Sequence, residues 1–151
     1  ELDMPEHSLD TMAAMYTITP EALGDNGIDA PRIPGSLHAA EHAAIGLLPL
    51  VASCDRGDIG GLSAAIGETG LPSVFVYDGH PGGAGFAERG YRLASTWLGA
   101  TAAAIEACEC PQGCPSCVQS PKCGNGNDPL DKPGAIRVLK LVLDALATKH
   151  R

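Results

Sequence analysis

Hydrophobic and polar residues follow two different periods in the first third of the chain. Residues 11–19 carry a short apolar stretch that ends at Pro20, which predicts a strand. Residues 20–35 contain three prolines and three glycines and few apolar residues, so they predict a loop. Ser36 is a favoured N-cap residue and predicts a helix over 37–52. The apolar positions of this helix recur at steps of three and four: Leu37, Ala40, Ala44, Leu47, Leu48 and Val51.

The middle of the chain predicts one strand and one long helix. Residues 54–63 are rich in turn-forming residues and predict a connector. The apolar run 73–77 lies between Pro72 and Asp78 and predicts a buried strand. A glycine-rich turn then leads into a predicted helix over 85–108. The apolar stripe of this helix comprises Phe86, Leu93, Trp97, Ala100, Ala104 and Cys108.

A third main helix is predicted near the C-terminus. Asp131 is its predicted N-cap, Pro133 is tolerated in its first turn, and the helix extends to about residue 148. Its inward positions are Ile136, Leu139, Val142, Leu143 and Leu146. We therefore predict an α/β or α+β fold with three main helices and a small sheet. The length of 151 residues fits one domain.

Composition is typical of a folded protein whose core consists mostly of aliphatic side chains. Hydrophobic residues make up 44% of the chain and aromatic residues only 4%. No apolar run reaches the roughly 18 residues that a membrane span needs, and the sequence lacks a secretory signal pattern. Because the sequence begins at Glu1 and not at Met, we interpret it as a domain excised from a larger protein.

The formal net charge of −8 argues against a free-standing nucleic-acid-binding protein, whose affinity depends on neutralising phosphates. The charge is uneven, because residues 111–151 carry six basic residues against three acidic ones. We therefore predict any contact with DNA in this segment. The candidate side chains are Lys122, Lys132, Arg137 and Lys140, and the alternative for them is a solvated helix surface.

The cysteines are crowded. Five of the six lie within residues 108–123, whereas Cys54 stands alone. A disulfide framework spreads its cysteines along the chain, so this clustering favours a metal site in a reducing compartment, and we predict a cytoplasmic location. Four of the cysteines have the spacing C-x3-C-x2-C-x5-C: Cys110, Cys114, Cys117 and Cys123.

Four thiolates at short spacing can occupy the corners of a tetrahedral zinc site, and the prolines and glycines between them supply the necessary turns. The spare cysteine is Cys108 or Cys110. Cys108 continues the apolar stripe of the preceding helix and so is explained by packing. The competing interpretation is a dithiol redox pair at Cys114 and Cys117, which would leave Cys110 and Cys123 unexplained.

Two other motifs point to chemistry. His38, Glu41 and His42 spell H-x-x-E-H, an inverted zinc-protease signature, but the sequence offers no convincing third ligand, and the alternative is a pair of structural histidines. Residues 78–85, DGHPGGAG, link a predicted strand to a helix but match neither phosphate-binding glycine pattern. For this loop we favour a tight turn over an anion site.

The ordered series of blocks resembles a known family. The blocks HAAEHAAIGLLPLVASCDRGDIGG, DGHPGGAG and CECPQGCPSCVQSPKCGNGNDPLDK, with a long helix between the last two, resemble the C-terminal zinc-binding domain of superfamily-two DNA helicases of the mitomycin-repair type. This group comprises MrfA-like bacterial enzymes and related fungal RecQ-like helicases. The resemblance covers roughly residues 37–143 and assigns His38, Glu41 and His42 to a family helix.

The resemblance implies one structural Zn²⁺ held by Cys110, Cys114, Cys117 and Cys123, within a knuckle and connector over 108–131 between the last two helices. It further implies upstream motor domains of an ATP-dependent 3′–5′ DNA-repair helicase, in which this domain helps to guide or enclose single-stranded DNA. The fragment alone is then expected to have no catalytic activity. The alternative is a zinc-stabilised protein-interaction or regulatory domain without DNA contact, which the negative charge would suit.

Overall fold

The computed structural model describes residues 13–52, 54, 58–66, 71–79, 85–108 and 131–149. They form an α+β fold in which helices pack against a three-stranded antiparallel sheet of order β1-β3-β2. The strands are β1 (Ala13–Thr17), β2 (Ile59–Ile66) and β3 (Leu71–Asp78). The helices are α1 (Pro20–Asp25), α2 (Ile33–Leu47), α3 (Pro49–Ala52), α4 (Phe86–Arg92), α5 (Ala94–Ala107) and α6 (Lys132–Lys149), with a 3₁₀ turn at Ala30–Arg32.

The central strand β3 sets the register of the sheet. Gly61 of β2 and Ala14 of β1 both pair with Val76, so these three residues share one face of the sheet. Helix α2 covers this face, because a side chain at Gly61 would meet Glu41 and Ile45. Val74 and Val76 are almost completely buried beneath it. The core of the described chain therefore includes the contact between α2 and the sheet.

Helix α2 is the centre of the helical layer and packs against both α5 and α6. Four buried alanines let its backbone come close to its neighbours. The indole Nε1 of Trp97 on α5 donates a hydrogen bond of 2.8 Å to the carbonyl oxygen of Ala44. These alanines are Ala39, Ala40, Ala43 and Ala44.

The predicted strand over 73–77 and the predicted N-cap of the last helix are confirmed. Asp131 accepts a hydrogen bond of 2.9 Å from the amide of Gly134 through Oδ1, which satisfies a donor at the start of α6. The predicted first strand corresponds to β1. Because both strand pairs in the described part of the chain are antiparallel, the sheet is that of an α+β fold and not of an α/β fold.

The loop predicted over 20–35 is wrong, since α1, the 3₁₀ turn and the start of α2 occupy it. Ser36 lies inside α2 and not at its N-cap, and its hydroxyl donates to the carbonyl oxygen of Arg32 at 2.8 Å. Helix α2 begins earlier because Pro34 fits the first turn of a helix. The helix predicted over 37–52 is divided after Leu47, where Pro49 has no amide to continue the helical hydrogen bonds.

Two further elements differ from the prediction. The connector predicted over 54–63 contains residues 59–63 of β2, which is more than half of the strand. The glycine pair in it, Gly60 and Gly61, is required by close packing and does not form a turn. The helix predicted over 85–108 is divided at Leu93, where φ is −107° and ψ is 33°. The described residues therefore contain six helices where three main helices were predicted, and none of the described helices is long and apolar enough to cross a membrane.

Candidate metal centre

The predicted zinc ligands Cys110, Cys114, Cys117 and Cys123, together with Lys122, lie outside the described residues. The structure does describe the residues from which this part of the chain leaves the fold and to which it returns. The chain leaves after Cys108, directly beyond the end of α5, and returns at Asp131, directly before α6. The contacts of these two ends are the described contacts nearest in sequence to the predicted ligands.

The two ends are joined by a hydrogen bond. The ammonium group of Lys132, the first residue of α6, donates to the carbonyl oxygen of Cys108 at 2.7 Å. Only 7% of the surface of Lys132 is exposed. This lysine therefore fixes the end of α5 against the start of α6. The sequence around Lys132 did not indicate that its side chain is buried.

Asp131 fastens the returning chain to α2. Its carboxylate accepts two hydrogen bonds from the guanidinium of Arg32, at 2.7 Å and 3.1 Å, and its amide donates to the carbonyl oxygen of Gly35 at 3.0 Å. The Arg32 guanidinium holds the pKa of Asp131 below its usual range. Arg32 and Asp131 are 99 positions apart in the chain, so no local pattern could have revealed this pair.

The starts of α2 and α6 are in direct contact. A Cβ atom at Gly134 would overlap the hydroxyl oxygen of Ser36 and would lie 3.1 Å from the Asp131 carboxyl carbon. Only glycine fits between these two helix starts at this distance. We call the group comprising Arg32, Asp131, Lys132 and the Cys108 carbonyl the base clamp.

The other described candidates for DNA contact lie on the outer face of α6. Arg137 is exposed, and its Nη1 donates to the carbonyl oxygen of Asn26 at 2.5 Å. Lys140 is also exposed, and its Nζ lies 2.8 Å from Oε2 of Glu106 on α5. Lys132, by contrast, points its ammonium group at Cys108 and not at solvent. The polar face predicted for α6 thus includes Arg137 and Lys140 but not Lys132.

The two remaining described cysteines have packing contacts. Cys54 is buried in the hydrophobic core. Cys108 is half-buried and packs against that core, as its place on the predicted apolar stripe of the helix suggested. The stripe itself is rotated from the predicted one, because the buried positions of α5 are Trp97, Leu98, Thr101, Ala102 and Ile105.

The H-x-x-E-H motif lies inside the fold. His38, Glu41 and His42 are all buried on α2, and the two imidazole rings are 4.2 Å apart between centroids. Burial raises the pKa of Glu41 to about 7, and a hydrogen bond with Ser63 opposes this shift. Among the described residues, no group of three or more histidine, cysteine, aspartate or glutamate side chains could hold a metal ion. Their burial supports the assignment of the motif to a structural helix.

Tyr16 of β1 extends the same buried polar region. Burial and the negative charge of Glu41 raise the pKa of its phenol. Within the described part of the chain, the phenol oxygen has no hydrogen-bond partner. Glu41 and Tyr16 are thus polar groups held in a largely apolar contact between α2 and the sheet, which sequence patterning did not indicate.

The described ends of the glycine-rich loop are joined by Asp78. Its two carboxylate oxygens accept hydrogen bonds of 2.8 Å from the amides of Gly85 and Ala87 at the start of α4. The carboxylate therefore occupies the position where a helix N-terminus would receive an anion. Gly85 adopts a φ of +89°, which favours glycine. Both observations support the tight turn over the anion site.

Comparison with known proteins identifies relatives that differ greatly in length. An uncharacterised protein of Methanocaldococcus jannaschii is 39% identical over 111 residues, which cover 71% of this chain and 99% of that protein. The uncharacterised ATP-dependent helicase YprA of Bacillus subtilis is 33% identical over 120 residues, which cover 78% of this chain but only 15% of the helicase. The chain also matches ATP-dependent helicase hrq1 of Schizosaccharomyces pombe, with 33% identity over 124 residues, or 72% of this chain and 12% of that protein.

Two solved structures share the fold. The crystal structure of the DUF1998 helicase MrfA bound to DNA matches with a TM-score of 0.64 and 28% identity, over 93% of this chain and 18% of that one. The structure of MrfA with DNA and AMPPNP gives a TM-score of 0.66 and 27% identity, over 91% of this chain and 16% of that one. The profile of the family described as the MrfA Zn-binding domain matches residues 40–118, more than half of the sequence. This chain, with its clustered cysteines and its α+β fold, therefore belongs to the MrfA Zn-binding domain family.

Proposed function

We propose that this chain is the structural zinc-binding accessory domain of an ATP-dependent DNA-repair helicase of the MrfA type. The observation that carries the proposal is the match of the fold, over 93% of the chain, to MrfA bound to DNA. The sequence matches to YprA and hrq1, each covering a small share of a long helicase, support the same setting. The partners are then the motor domains of that helicase and its single-stranded DNA.

Cys110, Cys114, Cys117 and Cys123 are the proposed zinc ligands. Four thiolates are the donor set of structural zinc sites, and membership of a Zn-binding family agrees with it. The described ends of the segment are also compatible with such a site, because they are neighbours in space: the ammonium group of Lys132 donates to the carbonyl oxygen of Cys108. One Zn²⁺ bound by these cysteines would cross-link the segment and would take no part in chemistry on DNA.

The proposed DNA contacts are Lys122, Arg137 and Lys140. Arg137 and Lys140 are exposed on α6, which starts at the base clamp and so lies next to the cysteine segment. Lys132 is not among the proposed DNA contacts, because it is buried and its ammonium group donates to the carbonyl oxygen of Cys108. A few phosphate contacts provide only weak, salt-dependent affinity, so we expect the isolated domain to bind single-stranded DNA weakly. The motor domains would raise the effective concentration of the strand.

The test is a triple replacement of Lys122, Arg137 and Lys140 by Ala in the intact helicase that carries this domain. We expect weaker binding of single-stranded DNA and slower unwinding, with zinc content unchanged. The matched control is Arg92→Ala, which removes an exposed arginine on α4 whose partner is Glu88. If DNA affinity and unwinding stay at the unmodified level, the basic face of α6 is only a solvated surface.

The second candidate function is a zinc-stabilised protein-interaction or regulatory domain. The net charge of −8 favours it, since a polyanion is repelled by such a surface. The archaeal relative also favours it, because this chain covers 99% of that protein and leaves little room there for motor domains. Deleting the domain from the intact helicase separates the candidates, because an interaction domain would leave the salt dependence of DNA binding unchanged.

A further inference from the structure

An apolar pocket lies between β1 and the helices α4, α5 and α6. Its volume is about 70 Å³, and Trp97, Val142 and Leu146 are among the side chains that line it. Protein interiors are packed as densely as crystals of small organic molecules, so the walls of a pocket of this size forgo contacts that the rest of the core makes. A partner side chain that fits the pocket would supply those contacts.

The chemistry of the lining selects an apolar occupant. None of the described residues that line the pocket is charged. The indole Nε1 of Trp97 already donates to the carbonyl oxygen of Ala44, so it does not serve a polar ligand. A phosphate would therefore meet no cation here, whereas an aliphatic group is favoured because it leaves water.

The volume limits the size of this occupant. An engineered cavity of about 150 Å³ binds benzene, so a pocket of about half that volume accommodates one aliphatic side chain and not an aromatic ring. Tyr91 of α4 lines the same pocket and is 42% exposed, so it lies at the mouth. An exposed aromatic residue beside a pocket for one anchoring side chain is typical of protein–protein interfaces.

The pocket lies where the remainder of a helicase would be connected to this domain. Its walls include Ala14, one residue from the start of β1, and Leu146, about one turn from the end of α6. These are the first and the last described elements of the chain. The matches to YprA and hrq1 cover only 15% and 12% of those helicases. In a helicase of such length, any chain that continues from this fold does so through the start of β1 or the end of α6, beside the pocket.

We propose that this pocket receives one aliphatic side chain from the motor domains of the helicase and thereby docks the domain on them. The inference rests on the proposed function, which supplies the motor domains. It assigns a contact surface to a face of the domain that is distinct from the cysteine segment and from the basic face of α6.

The experiment places a photo-cross-linking residue at the mouth of the pocket in the intact helicase that carries this domain. Tyr91→p-benzoylphenylalanine keeps an aromatic ring there, and mass spectrometry identifies the cross-linked peptides after irradiation. We expect cross-links to one segment of the motor domains, at or beside a leucine, isoleucine, valine or methionine. The matched control is Leu62→p-benzoylphenylalanine, from which we expect no cross-link to the motor domains.

Leu62 is a suitable control because it is also exposed but lies on the other side of the sheet. Its surface is 51% exposed. It pairs with Phe75, whereas the pocket is lined by the neighbours of Phe75 on β3, Val74 and Val76. Because successive residues of a strand point to opposite faces, Leu62 faces away from the pocket.

A second pair of variants tests the contact without a cross-linker. Tyr91→Asp places a charge at the mouth of the pocket, and Leu62→Asp makes the same change on the opposite face. Loss of an interface anchor lowers a docking equilibrium by about tenfold or more. We therefore expect limited proteolysis to release the domain from the intact helicase about tenfold faster in Tyr91→Asp, and at the unmodified rate in Leu62→Asp.

The outcomes separate this inference from the proposed function. If the intact helicase has DNA-stimulated ATPase activity but position 91 cross-links to no aliphatic residue of the motor domains, the docking is wrong and the proposed function stands. Cross-links only to a second copy of this chain, or equal yields from positions 91 and 62, also overturn the docking. Equal release of Tyr91→Asp and Leu62→Asp does the same. If the intact protein has no motor domains, both proposals are wrong.

Discussion

The base clamp and the contact between α2 and the sheet each bury an ionisable residue that water would otherwise solvate, Lys132 in the first and Glu41 in the second. In the base clamp, the carboxylate of Asp131 and the ammonium of Lys132 each meet a partner of suitable charge or polarity. Beneath β2, burial raises the pKa of Glu41 to about 7, and Tyr16 has no hydrogen-bond partner among the described residues. The base clamp thus provides partners for its charged groups, whereas the contact between α2 and the sheet disfavours the charged form of Glu41.

This difference distinguishes residues that only pack in the core from residues that join distant parts of the chain, which a sequence motif alone cannot do. His38, Glu41 and His42 match a metal-protease signature, yet they are buried in the core. The pairings of Arg32 with Asp131 and of Lys132 with Cys108 belong to no motif, yet Cys108 and Asp131 flank the segment that contains the clustered cysteines. The buried motif residues are explained by packing, whereas the Arg32–Asp131 ion pair and the Lys132–Cys108 hydrogen bond join residues that are far apart in the chain.

Loss of a zinc ligand should have the largest effect and should distinguish the two regions most sharply. Cys117→Ser is expected to reduce bound zinc from one equivalent to less than about half and to unfold the segment 108–131, because metal binding and local folding are coupled. Elemental analysis and amide hydrogen exchange measure both effects. Cys54→Ser and Glu41→Gln, which alter the core and not the cysteine cluster, should retain the metal. Zinc retained by Cys117→Ser would contradict the ligand assignment.

Glu41→Gln should stabilise the protein above neutral pH. The raised pKa means that the folded state keeps its proton while the unfolded chain releases it between pH 4.5 and about 7, so the free energy of unfolding falls over this interval. The neutral amide avoids this fall, and we expect a gain of about 3 kcal/mol at pH 8 and almost none at pH 4.

Urea unfolding of both proteins at pH 4, 6 and 8 measures the pH dependence, and the difference between them cancels contributions that they share. Glu21→Gln, on the exposed side of α1, is the matched control. A constant difference between Glu41→Gln and the unmodified protein across this range would show that Glu41 is ionised in the folded state.

Gly134→Ala should separate the starts of α2 and α6. The added methyl group would overlap the Ser36 hydroxyl and approach the Asp131 carboxyl, and overpacking of this kind costs about 2 kcal/mol. Urea unfolding measures the loss. Gly99→Ala on α5 is the control, because nothing lies within 4 Å of its Cβ and the helix should gain about 0.5 kcal/mol. Equal stabilities of the two variants would refute the close contact.

Tyr16→Phe should have the smallest effect. A buried hydroxyl without a partner contributes no hydrogen bond, so its removal should leave the free energy of unfolding unchanged or raise it by up to about 1 kcal/mol. Thermal and urea unfolding at pH 7 suffice for the measurement. A clear loss of stability would mean that the phenol is hydrogen-bonded in solution and that this region is better satisfied than the structure indicates.

Local signals were sufficient for some elements of the fold. The run 73–77 identified β3, and Asp131 with the apolar periodicity after it identified α6, because caps and amphipathic faces are encoded by neighbouring residues. Strand β2 was missed because its two glycines resemble a turn, although they are glycines because Tyr77 and Glu41 pack directly against them. The requirement for glycine comes from side chains of other elements, so the sequence of β2 alone does not reveal it.

The same distinction applies to the candidate metal centre. The spacing of the cysteines predicted a zinc site because all four lie in one short stretch of the sequence. The family match agrees with a zinc-binding domain. The Arg32–Asp131 pair spans 99 positions and the Lys132–Cys108 bond spans 24, so neither belongs to a local pattern. Lys132 was consequently grouped with exposed basic residues, and only its burial shows that it faces inward.

The hydrogen bond between Lys132 and Cys108 also bears on how this domain can change during evolution. The two ends of the intervening segment are neighbours in space, so the end of α5 lies beside the start of α6. Segments with adjacent ends are the places where insertions and replacements are best tolerated. We therefore expect the cysteine segment to tolerate a change of length or sequence better than the sheet and the helices do.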